Sequence, residues 1–195
     1  MTSSSRPDRS RHRILDAADN AFRALGYDGV SIEEIARRAG LTRRTVYNRF
    51  GGKQEIAEAL IARVEAGDAG YRARLTAGDP ALSLLERVLL DSAGWCMANP
   101  ALARLALAPQ TRPTPDPPAD RPSFQGLVRD ILVLGQQQGH IRRDEDAGFL
   151  ALVLLGIYGQ AMLGALAAGR ISNAEIRRIV RVVVEGIGAP APVRG

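Results

Sequence analysis

Residues 31–53 read SIEEIARRAGLTRRTVYNRFGGK. Ile32, Ile35, Ala36 and Ala39 recur at helical spacing and run into Gly40-Leu41. A second short pattern, Val46, Tyr47 and Phe50, follows at once. The spacing predicts a helix ending at Gly40, a tight turn, and a second helix of a little over two turns. Ser31, with Glu34 three residues on, predicts a capping box for the first, and Thr42 a cap for the second. Few apolar residues lie in the second segment, and Arg43, Arg44, Thr45, Asn48 and Arg49 surround them. A solvated hairpin with accidental charge has that composition, and so does a helix built to enter a DNA major groove.

Charge placement favours the second reading. The chain has 195 residues and a formal charge of +5. Residues 1–53 hold eleven basic and six acidic groups, while the remainder is balanced at fifteen of each. The whole excess therefore sits where contact with a polyanion is suspected. Twenty-five of the 26 basic residues are Arg. Arg suits phosphate and guanine edges, but its abundance along the whole chain reads mainly as compositional bias.

Working outward, Ile14, Leu15, Ala18, Ala21, Phe22 and Leu25 form an apolar stripe on a helix from about Asp8, stopped at Gly26. Gly51-Gly52 ends the third helix. A fourth runs from Lys53 towards Leu75, weakened by Gly67 and Gly70. Asp79-Pro80 opens a fifth, and Asn99-Pro100 ends it and opens a short sixth. Residues 109–122, PQTRPTPDPPADRP, carry six of eleven prolines and predict an extended loop. Three more helices are expected over about 123–138, 144–168 and 172–187, the last opened by a Ser172/Glu175 capping box. The expected fold is all-α with about nine helices. It divides into a disordered tail (1–7), a three-helix helix-turn-helix DNA-binding domain (8–52), a helical domain (53–188) whose expected effector-binding and dimerisation roles follow from the family resemblance below, and a second tail (189–195).

Within the first domain, Gly40 allows the turn, Ala36 permits close helix approach, and Leu41, Val46 and Phe50 anchor the reading helix. The candidate DNA-contacting residues are Ser31, Thr42, Arg43, Arg44, Thr45, Tyr47, Asn48, Arg49 and Lys53. Arg forks onto guanine, Asn onto adenine, and the Thr methyl meets thymine. Ser31, Thr42, Tyr47 and Lys53 suit phosphate.

The stretch ILDAADNAFRALGYDGVSIEEIARRAGLTRRTVYNRFGGKQEI resembles the tetracycline-repressor (TetR) family of bacterial transcription regulators, strongly over residues 12–56 and weakly beyond, as in QGHIRRDEDAGFLALVLLGIYGQ. Gly52 stands where the family often has Ser, Asn or Asp, and Asn48-Arg49 differs from its commonest residues. The resemblance implies a homodimer on a palindromic operator, a repressor released by a small-molecule effector that shifts helix four. It implies a four-helix bundle built from residues 144–168 and 172–187 of two protomers. Gly156, Gly159 and Ala165 would then allow close approach, and Ile176, Ile179, Val180 and Val183 would supply apolar area. The effector is expected to be apolar or weakly polar, with Trp95, Met97, Phe124, Leu127, Phe149, Tyr158 and Met162 as candidate pocket residues.

Three alternatives stand beside this reading. A ligand-independent or partner-gated repressor would have a solid C-terminal core. Ala147–Gly169 has no charged residue and is long enough to span a bilayer. Its five glycines, Gln160 and the amphipathic helix that follows fit a fully buried helix better. An enzyme is disfavoured: two histidines, His12 and His140, and one cysteine, Cys96, form no catalytic or metal-ligating pattern, and no cofactor or metal is expected. A single cysteine and a polar N-terminus without an apolar leader predict a cytoplasmic location.

Overall fold

The computed structural model describes residues 6–66, 69–108 and 123–187. Among these residues there are ten helices and no β-strand. They are α1 (Arg6–Leu25), α2 (Ile32–Ala39), α3 (Arg43–Tyr47), α4 (Lys53–Ala66), α5 (Ala69–Thr76), α6 (Ala81–Ala98), α7 (Pro100–Ala106), α8 (Phe124–Gln137), α9 (Ala147–Ala168) and α10 (Asn173–Ile187). The count exceeds the expected nine because the fourth helix is described as two segments, α4 and α5. Gly67 between them, the proline-rich stretch 109–122 and the tail from 188 lie outside the described residues. Helix α1 starts at Arg6, so the expected N-terminal tail loses its last two residues to the helix.

Two apolar cores form. In the first, Ile14, Ala18, Ala21 and Phe22 of α1 meet Ile35 and Ala36 of α2, Val46 of α3, and Ile56 and Leu60 of α4. Leu25 was expected in this stripe but is 48% exposed at the last turn of α1. The second core joins α6, α8, α9 and α10 around Leu85, Leu89, Leu132, Leu154 and Met162. Tyr158 on α9 donates its hydroxyl to the Leu89 carbonyl of α6 at 3.1 Å, so the buried phenol is satisfied.

Helix α7 lies between the cores. Pro100 sits in its first turn, where the missing N–H costs no hydrogen bond. Its Leu102 is buried in the first core and the adjacent Ala103 in the second. Arg104 Nη2 donates to the Leu166 carbonyl at 3.1 Å, tying α7 to α9.

Helix α9 is long and apolar enough to cross a membrane by length and composition alone. Here Leu150, Ala151, Leu154, Leu155, Tyr158 and Met162 are instead buried against the protein's own helices. Asp146 caps its start, accepting from Gly148 N at 2.9 Å and Phe149 N at 3.1 Å. Phe149 and Ile157 on its other side are 52% and 48% exposed, so the protomer buries only one face of this all-round apolar helix and the expected burial on all sides is not met within a single chain.

Candidate nucleic-acid interface

The turn before α3 is built from backbone and one arginine. Gly40 adopts φ 61°, ψ 39°, the left-handed region that glycine enters without steric cost. Leu41 N donates to the Ala36 carbonyl at 2.9 Å. From α1, Arg13 Nη2 donates to the Ala39 carbonyl at 2.6 Å, occupying an otherwise open acceptor at the end of α2. Val46 (0% exposed) and Phe50 (2%) then fix α3 to the core. The guanidinium of Arg11 lies 4.9 Å from the Phe50 ring centroid.

Helix α3 is shorter than its sequence pattern suggests. It comprises Arg43–Tyr47, and Asn48 ends it. Asn48 and Arg49 form a turn, and Phe50 turns back into the core beyond it. Phe50 is buried and Gly51-Gly52 follows, so the chain leaves the helix early to reach α4. Thr42, Arg43, Arg44, Tyr47, Asn48 and Arg49 are exposed, Thr45 is half-buried beside them, and Ser31 is exposed at the start of α2. The structure thus brings eight of the nine candidate residues to the outer side of α2–α3.

Their hydrogen bonds separate them. Ser31 Oγ accepts from Glu34 N and Thr42 Oγ1 from Thr45 N, both at 3.2 Å. Both hydroxyls therefore cap helices. The Glu34 carboxylate does not complete the expected box. It accepts from Arg37 Nη2 at 2.7 Å and Arg38 Nε at 2.6 Å, and hydrogen bonds from these guanidiniums hold its pKa down at about 2. Arg43 Nη2 pairs with Glu33 Oε1 at 2.7 Å across the turn. Arg44 and Arg49 make no ion pair among the described residues.

Lys53, expected as a phosphate contact, also makes a contact within the protein. Its Nζ donates to the Tyr27 carbonyl at 2.8 Å and lies 4.4 Å from the Tyr27 ring centroid. The ammonium therefore joins the α1–α2 turn to the start of α4. Nothing in local sequence forecast this clasp, or the supporting roles of Arg11, Arg13 and Glu33. The one available signal was that Lys53 is the sole lysine in a chain with 25 arginines.

In the C-terminal half, Leu127, Tyr158 and Met162 are buried in the second core, and Trp95, Met97 and Phe124 pack partly buried against it. Phe149 does not join them. It is 52% exposed in the first turn of α9 and is not part of that core. The expected dimer residues divide similarly. Gly156 is exposed, Gly159 and Ile179 are half-buried, and Ala165, Ile176, Val180 and Val183 are buried within the protomer. Those four pack on the chain's own core and are not available to a partner. The outward apolar residues are instead Phe149, Ile157 (48%) and Val182 (58%).

A family model for bacterial regulatory proteins of the tetR family matches residues 14–60, the span that builds the first core and α3. The HTH-type transcriptional regulator SrpR of Pseudomonas putida is 44% identical over 55 residues, 28% of this chain and 26% of that protein. The chain thus spans well under two thirds of the length of the first curated relatives it matches. A longer alignment joins it to the HTH-type transcriptional repressor AcnR of Corynebacterium glutamicum, 25% identical over 172 residues, 84% of this chain and 88% of that one. Among solved structures, Thermus thermophilus FadR, a TetR-family repressor in complex with lauroyl-CoA, superimposes with a TM-score of 0.72 at 26% identity, covering 93% of this chain and 98% of that chain. The motif, the all-helical architecture of the described residues and these likenesses agree: residues 14–60 match the tetR-family model, and the fold over most of the chain is similar to that of TetR-family regulators.

Proposed function

We propose that this protein is a homodimeric, sequence-specific repressor that places α3 of each protomer in the major groove of a palindromic operator and is released by a small apolar or weakly polar effector. It works in the cytoplasm, and no catalytic step is required of it. The observation that carries the reading is the contrast within α3, where Val46 is fully buried and Arg43, Arg44, Tyr47, Asn48 and Arg49 around it face outward. That asymmetry matches a helix fixed by one side and read by the other.

The outer surface of α9 and α10 supports the same reading. Phe149 and Ile157 of α9 and Val182 of α10 lie on the surface of the helices expected to pair, and a Cβ built at Gly156, Gly164 or Gly186 would meet nothing within 4 Å. Two protomers joined there would present two α3 helices to half-sites about 34–36 Å apart. Trp95, Met97, Phe124, Leu127, Tyr158 and Met162 mark the part of the second core where an effector would insert. The Thermus relative is solved in complex with lauroyl-CoA, whose acyl chain is the apolar part of that ligand, so molecules bearing a long acyl chain are the first to assay. The effector acts only through unequal affinity for the DNA-competent and released states.

The test is selection of bound duplexes from a random pool. The expected product is a palindromic consensus whose half-sites are one helical turn apart. A monomeric complex on a single half-site at micromolar protein would refute the dimeric reading.

A further inference from the structure

Glu33 is an acid on the face proposed to meet DNA, where a bare carboxylate would repel phosphate. It lies in the first turn of α2, and the helix dipole alone would account for an acid there. Its direction adds something the dipole does not explain. Glu33 Oε1 reaches across the turn to Arg43 Nη2, the first residue of α3, at 2.7 Å. The other cations of this face behave differently. Arg37 and Arg38 share Glu34 along their own helix, and Arg44 and Arg49 have no ion pair among the described residues.

We propose that Glu33 is a positioning residue that sets base specificity, holding the guanidinium of Arg43 in one orientation towards a guanine. This rests on the reading above that α3 enters the major groove. The side chains of Arg43 and Glu33 are 60% and 50% exposed, so in free protein the pair adds little to folding. In a groove that excludes water the same pair strengthens. A guanidinium has five N–H donors in a rigid plane, so a carboxylate on Nη2 leaves donors for guanine O6 and N7 while restricting rotation. The pair has no net charge, so it adds little attraction for phosphate. Arg43 with Glu33 discriminates between bases, while Arg44 and Arg49, which have no ion pair among the described residues, supply charge.

The experiment measures operator and single-base-pair variants by fluorescence anisotropy for the full-length protein and for Arg43→Ala, Glu33→Gln, Glu33→Asp and Glu33→Gln/Arg43→Ala. Circular dichroism confirms that each variant is folded. Arg43→Ala should lose about tenfold or more discrimination at one G·C pair per half-site. Glu33→Gln should lose discrimination at that same pair, and the double variant should be no worse than Arg43→Ala alone. Glu33→Asp keeps the charge but shortens the reach, so it too should lose discrimination. The proposal is overturned if Glu33→Asp reads the operator normally while Glu33→Gln binds every duplex more tightly by one common factor. In that case the carboxylate is only a brake on phosphate binding. It is also overturned if both Glu33 variants leave the preference intact while Arg43→Ala abolishes it, an outcome that spares the groove reading. If no variant alters any base preference, the assignment of α3 as the reading element fails as well.

Discussion

Replacing Gly40 with Ala isolates how the helix-turn-helix corner is held. At φ 61° an L-residue costs about 1–2 kcal/mol. A Cβ there would stand 2.9 Å from Arg13 Nη2, so the guanidinium that caps Ala39 must move. Weakening that charge-assisted, partly exposed hydrogen bond adds about 1 kcal/mol. The expected loss is roughly 2–3 kcal/mol, a fall in Tm of about 4–12 °C for a chain of this size. Gly26 supplies the internal control. It has φ 72° but its Cβ would meet nothing within 4 Å, so Gly26→Ala should cost only the conformational part, about 1–2 kcal/mol. Urea unfolding of both variants, repeated in an Arg13→Ala background, separates the two contributions. The extra cost at Gly40 should vanish once Arg13 is gone. Equal losses at Gly26 and Gly40, or a Gly40 penalty unchanged without Arg13, would refute the role given to Arg13.

Other outcomes follow from the same geometry. Lys53→Met removes the clasp on Tyr27, so it should destabilise the N-terminal core by about 1 kcal/mol and weaken DNA binding with little change in the salt slope. A slope reduced by about one unit with unchanged Tm would return Lys53 to direct phosphate contact. Ile157→Glu puts a charge on the outward face of α9 and should convert dimer to monomer by sedimentation, with far-ultraviolet circular dichroism unchanged; a dimer that persists would move the interface elsewhere. Glu34 is held to a pKa of about 2, below the ordinary 4.5, so its ties to Arg37 and Arg38 stabilise α2 above pH 4.5 and are lost as pH falls towards 2. A carboxyl-carbon NMR titration with its midpoint near 4.5 would contradict the ion pairs.

The N-terminal half was legible because its determinants are local. A left-handed position at Gly40, a capping hydroxyl at Ser31 and helical spacing through Ile35, Ala36 and Val46 each act within a few residues. The length of α3 was less legible, since Phe50 continues the apolar pattern but enters the core after the helix has ended. In α10, Ile176, Val180 and Val183 form one apolar row and Ile179 and Val182 another. Periodicity identifies both rows without saying which faces inward. Helix α9 is apolar all round, so Phe149 looked as suitable for a core as Met162. The inward ammonium of Lys53 depends on Tyr27, 26 positions earlier, and no short-range rule reaches that far.

Helix α7 bears on how this protein could be recombined with others. Leu102 and Ala103 are neighbours in sequence yet belong to different cores. A chimera joined after Gly52 or Leu60 would transplant the reading head without its Leu102, leaving an empty socket between α1 and α4. Working hybrids should therefore take Pro100–Ala106 from the same parent as the N-terminal segment, then restore a fit to the recipient at Ala103 and Arg104. The natural seam for exchanging operator specificity is a surface running along this seven-residue helix, and no single cut in the chain follows it.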